Sequence, residues 1–580
     1  MRHRYFALFV AATGVLLTLG SLRVGWCLDD YYQRWIISGS PVYSEVGRKP
    51  IDAFCFVDGD PHRNRRMIEI GLLPWWIDPH CKVAFWRPIT VLTHMLDYRL
   101  WPGRPSLMHA QSIFWFALWV VSACLLYRRI MRATLAAALA GLLYAIGHSR
   151  AIPVAFLANR NAVLAGLFGI LAIYAHDQWR RNRRRALGIL SPILLALSLL
   201  SAETGIGAAA YLLAYALTLD PGRWRRGLLR LWPHLLVIIA WRVAWSAQGY
   251  GVNGIEELYT DPGAHPLRFA QMVLERAPLY MLGQWTGIPA EINLVLSGRG
   301  VAAMCWGGVM VAAIVGLVLL PLLRRSRVAR FWGLGMLLAT IPMCSATPMN
   351  RHLVFIGLGA MGLLGQFFAA ALHPRFWRRP LAWRASRAVL IGLMVCIHLV
   401  LAPIGLALIA RYPFGRSEFL ASCHALPSEP ERGRDLIFVN HPLPMEILHL
   451  LTTRAVDHEP LPRSAQILAP ASTAVLILRT DDHSLLVRPD SGFFSMPVSR
   501  LGYSREHPLT PGQTISLPSM RITIVEMTRD ARPAAVLFEF NVPLEDASLQ
   551  WICWESGRFR EFRPPAVGGA VRLPASGLPF

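Results

Sequence analysis

Residues 301–322 read VAAMCWGGVMVAAIVGLVLLPL, and none of these side chains is charged. A helix needs about 20 mostly apolar residues to cross the hydrocarbon core of a lipid bilayer. This run has that length and that composition. We therefore predict that residues 301–322 form a transmembrane helix, and that runs of this kind decide the fold of the chain.

Ten further apolar runs occur among the 580 residues, and a soluble protein would rarely carry so many. The sequence therefore predicts an α-helical polytopic membrane protein with about eleven transmembrane helices. The first run resembles a signal peptide, but it lacks a small-x-small cleavage site and is predicted to remain as the first helix. The ten runs lie near 5–22, 107–127, 133–148, 160–177, 186–201, 204–219, 231–247, 331–347, 352–372 and 388–410.

The formal net charge of +23 raises the question of a nucleic-acid partner, but the distribution of the arginines argues against one. The arginines form short clusters in alternate connections between the apolar runs, as they do at the cytoplasmic ends of transmembrane helices. One assignment satisfies six clusters: a cytoplasmic N-terminus, an extracytoplasmic C-terminal domain and a location in the inner (plasma) membrane. The clusters are Arg2 with Arg4, Arg128 with Arg129 and Arg132, and the arginines within 180–185, 223–230, 324–330 and 375–387.

The longer polar segments are assigned to the outer side of the membrane. Two outer loops, at about 23–106 and 248–300, interrupt the predicted transmembrane domain of residues 1–410. In the first loop, residues 72–77 (LLPWWI) are interpreted as an aromatic anchor at the membrane interface. In the second, residues 267–282 repeat apolar side chains at helical spacing, and we expect this helix to lie flat on the membrane.

Residues 411–580 are rich in proline, charge and β-branched side chains, and they are predicted to form a β-rich extracytoplasmic domain. A short helix is expected at 444–454. Strands are expected near 473–478, 484–487, 520–525 and 535–540.

The nine cysteines show no CxxC spacing, so neither a zinc site nor a thioredoxin-type site is expected. If the polar segments face an oxidising compartment, Cys55 with Cys81 and Cys423 with Cys553 are candidate disulfides.

The acidic pair Asp29-Asp30 follows the outer end of the first predicted helix by a few residues. One interpretation is a solvated loop or a helix cap. The other is a carboxylate that takes a proton from an acceptor hydroxyl or binds a metal ion.

Four further segments carry polar groups that the predicted topology places on the same outer face. Arg87-Pro88 precedes Asp97-Tyr98, and an arginine here either snorkels to the headgroups or binds a lipid phosphate. An ionisable group near lipid is a functional candidate. The other segments contain His148 with Arg160, Ser201-Ala202-Glu203, and Arg351.

The order of these motifs resembles the polytopic C-type (GT-C) glycosyltransferases, in the branch of the protein O-mannosyltransferases and the transmembrane O-mannosyltransferases that bear tetratricopeptide repeats. The resemblance covers roughly residues 5–372. Ala202 stands where that branch usually has lysine, Ser149 stands where it has proline, and residues 412–580 replace the tetratricopeptide array. The resemblance implies a GT-C-like transmembrane domain and a mannosyltransferase-like activity.

The resemblance implies a polyprenyl-phosphate sugar as donor, membrane lipid as surroundings, and a hydroxyl of a protein, lipid or glycan as acceptor. Asp29, or Asp30 in its place, would be the general base of a direct displacement. Arg87, Arg160 and Arg351 would bind the donor phosphate, and His148 and Glu203 would contribute to substrate binding. If a divalent cation is needed, Mg²⁺ or Mn²⁺, Asp29 and Asp30 would be its ligands.

Two other classes of protein remain as alternatives. A transporter or flippase would place polar groups at the bilayer midplane, often in repeated halves, whereas the acids here gather at one face. A catalytically inactive scaffold would display the C-terminal domain outside the membrane. Loss of function on Asp29→Asn with normal folding would argue against the scaffold.

Overall fold

The computed structural model describes residues 5–40, 42–44, 46–132, 134–221, 224–255, 258–296, 298–373, 381–413, 433–495, 502–503 and 507–576. The chain forms two compact units. The helical unit consists of Met1–Trp26, Trp86–Gly249 and Thr260–Pro413, and the α/β unit consists of Cys27–Phe85, Tyr250–Tyr259 and Phe414–Phe580.

Apolar helices make up the helical unit, and each of the eleven predicted runs contains one. In chain order they are α1 (Phe6–Thr18), α4 (Pro88–Leu100), α5 (Pro105–Met131), α6 (Leu135–Ala145), α7 (Ala151–Ala155), α8 (Arg160–Asn182), α9 (Arg185–Ser201), α10 (Gly207–Thr218), α11 (Trp224–Leu229), α12 (Trp232–Ala247), α13 (Pro266–Thr286), α14 (Gly298–Arg325), α15 (Arg327–Met343), α16 (Val354–Ala371), α17 (Leu381–Val395) and α18 (Ala402–Arg411). Helices α2 and α3 belong to the other unit.

Within the described ranges, six helices are long and apolar enough to cross a membrane, or seven if the pair Leu135–Ala145 and His148–Ala155, bent by 51°, is one span. The protein is therefore a multi-pass membrane protein. The predicted number of eleven is not confirmed, because the remaining four runs form helices of 17 residues or fewer, α9, α10, α12 and α15. At 1.5 Å per residue, 17 residues reach about 25 Å.

Three buried tyrosines fix the start of α16, which follows the motif containing Arg351. The hydroxyl of Tyr144 donates to the carbonyl of Val354 at 2.9 Å, and that of Tyr211 donates to the carbonyl of Phe355 at 2.7 Å. Tyr127 donates in the same way to the carbonyl of Leu358, at 2.6 Å. Each bond satisfies a buried hydroxyl, and together they hold one helix end against three others.

Helix α13 confirms the helical periodicity predicted for residues 267–282. Leu267 and Leu274 are exposed, whereas Leu279 and Leu282 are buried within the helical unit. The position of this helix relative to a membrane surface stays a prediction.

Among its described residues, the α/β unit contains three α-helices and three sheets. The helices are α2 (Asp29–Ser38), α3 (Pro61–Ile70) and α19 (Ile447–Val456). The strands are β1 (Cys55–Asp58), β2 (Lys82–Ala84), β3 (Gly251–Asn253), β4 (Asp435–His441), β5 (Ser464–Pro470), β6 (Val475–Arg479), β7 (Ser484–Pro489), β8 (Thr514–Ser516), β9 (Met520–Met527), β10 (Pro533–Phe540), β11 (Leu549–Glu555), β12 (Arg558–Glu561) and β13 (Ala570–Leu573).

A six-stranded antiparallel sheet has the order β13-β6-β7-β10-β9-β8, and a four-stranded sheet has the order β12-β11-β4-β5. The predicted C-terminal β-rich segment is therefore confirmed, as are its four predicted strands and its short helix, which is α19. Strands β4 and β5 were not predicted. Their residues are buried on both faces, so they show no alternation of apolar and polar side chains.

Two predictions about the first outer loop are wrong. Residues 72–77 do not form an exposed anchor, because Trp75 is 2% exposed and its ring packs against those of Phe493 and Phe538. No disulfide joins Cys55 to Cys81. The antiparallel register pairs Cys55 with Ala84, so Cys81 lies beyond the opposite end of that strand pair. Cys423 lies outside the described residues, so its predicted disulfide has no outcome.

Candidate functional site

Asp30 is held in the fold of the α/β unit. Helix α2 begins at Asp29, and acids in a first turn are favoured by the partial positive charge of the helix N-terminus. The Asp30 side chain is 1% exposed, and its Oδ2 atom accepts a hydrogen bond of 3.1 Å from the backbone N–H of Cys27. This arrangement favours a structural role for Asp30, which holds Cys27 ahead of the helix and does not cap the first turn of the helix.

Asp29 has a different environment, because its side chain remains 38% exposed. Its Oδ1 atom lies 3.5 Å from Nε2 of His449, a histidine on α19 whose side chain is only 9% exposed. A second ion pair, Arg34 to Asp457 at 2.7 Å, joins α2 to the residue after α19. Of the two acids, Asp29 is therefore the one that is reachable and that has a titratable partner.

Sequence reasoning missed His449. It lies in the expected helix at 444–454, but nothing local distinguishes it from the other histidines of the chain. Its partner Asp29 is hundreds of residues earlier in the sequence, so only the packing of α19 on α2 identifies it.

In the helical unit, two predicted motifs form an ion pair with each other. Arg87 donates from Nε to Oε2 of Glu203 at 2.9 Å, and its NH2 atom lies 2.8 Å from the same oxygen. The neighbouring residue Thr90 bonds the carbonyl of Ser201 at 2.8 Å. Oε1 of Glu203 is buried and has no hydrogen-bond partner among the residues that the structure describes. Glu203 thus orients Arg87 and presents a second, unused acceptor.

Another pair of predicted motifs meets at Asn350. Its Nδ2 atom lies 3.2 Å from Nε2 of His148, and its backbone N–H donates to Oε1 of Glu291 at 2.7 Å. Burial raises the pKa of Glu291 above its ordinary value, against the opposing effect of the Asn350 N–H and the charge of Arg351. Sequence reasoning missed Glu291, although a lone acid in the apolar stretch 287–296 was a usable signal.

The guanidinium of Arg351 is not used by the described fold. It makes no hydrogen bond or ion pair with another described residue, and its side chain is partly exposed. Burial keeps the pKa of His352 well below its ordinary value, and the charges of Arg351, Arg87 and Arg276 act in the same direction.

Arg160 has a different situation from Arg87 and Arg351. Its side chain is fully buried, and its NH1 atom lies 2.6 Å from Oδ2 of the equally buried Asp97. It also donates to Ser112 Oγ at 2.9 Å, to the carbonyl of Met108 at 2.8 Å and to Gln111 Oε1. With its donors engaged in this way, Arg160 has a structural role in the arrangement observed, and the proposal below rests on the other arginines.

The structure offers no described cluster for the Mg²⁺ or Mn²⁺ expected at the acidic pair. Among the described residues, neither Asp29 nor Asp30 belongs to a group of three side chains that could hold a metal ion. Mg²⁺ there would depend on water and substrate phosphate for most of its ligands. We derive no step through a metal ion.

No protein-family model matches this chain, and no curated protein matches its sequence. Several solved structures are similar. An oligosaccharyltransferase of Archaeoglobus fulgidus tethered with an acceptor peptide is 14% identical, with a TM-score of 0.37 over 80% of this chain and 64% of that one. ArnT from Cupriavidus metallidurans bound to undecaprenyl phosphate is 13% identical, with a TM-score of 0.42 over 80% of this chain and 90% of that one.

The mycobacterial arabinofuranosyltransferase AftD is 16% identical, with a TM-score of 0.36 over 94% of this chain and 42% of that one. This chain thus spans less than two thirds of the archaeal and the mycobacterial enzymes. Each TM-score is below 0.5, so what these proteins bind or transfer describes them and not this chain.

Proposed function

We propose that this protein is a GT-C-like membrane glycosyltransferase that moves a hexosyl or pentosyl group from a polyprenyl-phosphate donor to an acceptor hydroxyl on the extracytoplasmic face. The observation that carries the proposal is the basic group in the helical unit. Arg351 keeps its guanidinium available and is partly exposed, and Arg87 is oriented by Glu203. A lipid-linked phosphate is an anion that such a group would bind at a membrane.

Asp29 is the proposed general base. The acceptor oxygen attacks the anomeric carbon, the acceptor proton passes to the Asp29 carboxylate, and the bond from the anomeric carbon to the phosphate oxygen breaks with its electron pair on that oxygen. A general base must be reachable by the hydroxyl that it deprotonates. The 38% exposure of Asp29 meets this requirement, and the burial of Asp30 does not.

The arginines are proposed to act on the leaving group. Negative charge grows on the phosphate as the glycosidic bond breaks, so a guanidinium bound to it stabilises the transition state more than the ground state. Arg87 is held in a fixed orientation by Glu203, and Arg351 supplies donors that the described fold does not use. Because Oε1 of Glu203 is buried, Glu203 is proposed to act through Arg87 and not on the substrate directly.

The test uses the full chain purified in lipid, with a panel of polyprenyl-phosphate sugars and cell lysate as the source of acceptor. Release of free polyprenyl phosphate is followed for the wild type, Asp29→Asn and Asp30→Asn. We expect release from one donor class, a loss of about a hundredfold or more in Asp29→Asn, and substantial activity in Asp30→Asn whenever that variant folds.

Two outcomes would change the proposal. Loss in Asp30→Asn alone, with normal folding, would move the base to Asp30. No release from any donor by a folded wild type would overturn the glycosyltransferase assignment and favour a transporter or an inactive scaffold.

A further inference from the structure

Three potential metal ligands converge in the α/β unit, outside the proposed glycosyltransferase site. Asp78 and His80 follow the buried tryptophan pair of the first outer loop, and His507 comes from the C-terminal segment. Oδ1 of Asp78 lies 3.2 Å from Nδ1 of His80, and Oδ2 lies 2.7 Å from Nδ1 of His507. The three ligand atoms all lie within 4.8 Å of one another.

The backbone holds the carboxylate in place. The N–H of Asp78 donates to the carbonyl of Gly502 at 3.0 Å, and the carbonyl of Asp78 accepts from the N–H of Cys81 at 2.8 Å. The N–H of His80 donates to Oδ1 of Asp78 at 2.8 Å. Gly502 also has a positive φ of 75°, and a Cβ there would come within 2.8 Å of the Ile77 side chain. The segment that contains Asp78 therefore packs closely against Gly502.

We propose that Asp78, His80 and His507 form a Zn²⁺ site that clips the first outer loop to the C-terminal segment within the α/β unit. Imidazole nitrogen and carboxylate oxygen are zinc ligands, at about 2.0–2.2 Å from the ion. In a tetrahedral site, ligand atoms at that radius are about 3.3 Å apart. The Nδ1 atoms of His80 and His507 lie 3.2 and 2.7 Å from the two different oxygens of the Asp78 carboxylate, which therefore stands between the two histidines. Three protein ligands leave a fourth position for water.

Exposure supports the same assignment. The side chain of Asp78 is only 7% exposed, whereas those of His80 and His507 are 59% and 63% exposed. The ion therefore has an entry path from solvent to a carboxylate that is otherwise covered. The lack of any CxxC spacing does not bear on this site, because it contains no cysteine. The alternative is a pair of His–Asp ion pairs that binds no metal.

The test measures zinc binding by the full chain in detergent, purified through an affinity tag that contains no histidine and stripped with EDTA. Competition with a chromophoric chelator gives stoichiometry and affinity, and Co²⁺ substitution reports the coordination through its visible absorption bands. At matched free zinc, we expect the wild type to bind one more ion than His80→Ala or His507→Ala does. If a variant still binds that ion, its affinity should be about tenfold weaker or worse. Zinc should also raise the unfolding temperature of the wild type and not that of the variants.

The matched control is His62→Ala, which removes an exposed histidine of the same unit at the start of α3. It should bind zinc as the wild type does. Equal binding by the wild type and both site variants, or an equal loss in His62→Ala, would overturn the site and leave the ion pairs as its explanation. If alanine at 507 lowers the unfolding temperature in EDTA, His507→Gln replaces it, and the same comparison decides.

Discussion

The Nε2 atom of His449 lies 3.5 Å from the Oδ1 atom of Asp29. The histidine is on α19 and the acid is the first residue of α2, so a helix between two strands of the C-terminal segment contacts a side chain that comes more than 400 positions earlier in the sequence, within the same unit. Under the proposed function, His449 is a positioning residue that holds the general base.

His449→Ala should therefore lower kcat by about tenfold, because the Asp29 carboxylate loses the contact that orients it. The KM for the donor should change little, because His449 is not proposed to touch the donor. His449→Gln keeps a donor at this position and should restore part of the rate. Steady-state release of polyprenyl phosphate measures both. His483→Ala, which removes an exposed histidine of the same unit, is the control. Unchanged kcat in His449→Ala would show that the contact is only structural.

Arg351→Gln should lower kcat/KM for the lipid-linked donor by roughly ten- to a hundredfold, the effect of one lost hydrogen bond to a charged group. Thermal unfolding should stay as in the wild type, because the described fold does not use this guanidinium. Arg351→Lys keeps the charge and should retain part of the activity. Arg299→Gln, at an exposed arginine of the same unit, should change neither quantity. An equal loss in both glutamine variants would argue against a phosphate at Arg351.

Arg160→Met, unlike Arg351→Gln, should change stability. It should lower the free energy of unfolding by about 3–5 kcal/mol, because it leaves the carboxylate of Asp97 buried without the guanidinium of Arg160. The double variant Arg160→Met/Asp97→Leu removes both charges and should be more stable than Arg160→Met alone. Denaturant unfolding in mild detergent measures the three proteins. A double variant that is less stable than Arg160→Met would contradict the ion-pair interpretation.

Gly71→Ala and Gly39→Ala are a matched pair, because both glycines follow a helix of the α/β unit with a positive φ, 83° and 65°. A Cβ at Gly39 meets nothing within 4 Å, whereas a Cβ at Gly71 overlaps the backbone of Ala465 in β5. Gly39→Ala should lower the free energy of unfolding by about 1–2 kcal/mol, through backbone strain alone. Gly71→Ala should lower it by about 1–3 kcal/mol more, because the added Cβ overlaps the backbone of Ala465. Equal unfolding temperatures would refute this packing of α3 on β5.

Asp58 should make the α/β unit sensitive to acid. Burial raises the pKa of Asp58, but the hydrogen bond and charge of Arg48, with the Asp60 N–H and Arg63, outweigh it and hold that pKa below its ordinary value of 3.8. A carboxyl with a lowered pKa in the folded state stabilises the fold above its unfolded-state pKa and loses that effect as pH falls through the folded value.

The unfolding free energies of the wild type and Asp58→Asn should therefore differ at neutral pH and converge as the pH falls from about 5 to about 3. Denaturant unfolding at several pH values measures the convergence, with Glu69→Gln as the control at a surface ion pair. Parallel curves across this range would contradict the role of Asp58.

Local patterns in the sequence were sufficient for much of the fold. An uncharged apolar run as long as 301–322 forms a helix in a membrane, because every backbone group of a helix is satisfied within the segment. Composition and turn signals were sufficient to predict strands β6, β7, β9 and β10. The prediction of a membrane anchor at residues 72–77 was wrong, because an aromatic run that fills a core has the same sequence pattern as one at a membrane surface.

The sequence by itself therefore determined the apolar helices within the eleven runs, the β-rich character of the C-terminal segment, and which polar motifs accompany the helices, whereas helices α2, α3 and α4 were not predicted. Only the tertiary structure decided how those motifs pair: Arg87 with Glu203 across 116 positions, and His148 with Asn350 across 202. It also decided that Arg160 is buried while Arg351 is available, and that His449 supports Asp29. The physical reason is the distance along the sequence over which each kind of interaction acts. Secondary structure follows from hydrogen bonds and side chains a few residues apart, whereas an ion pair between distant residues depends on how complete elements pack.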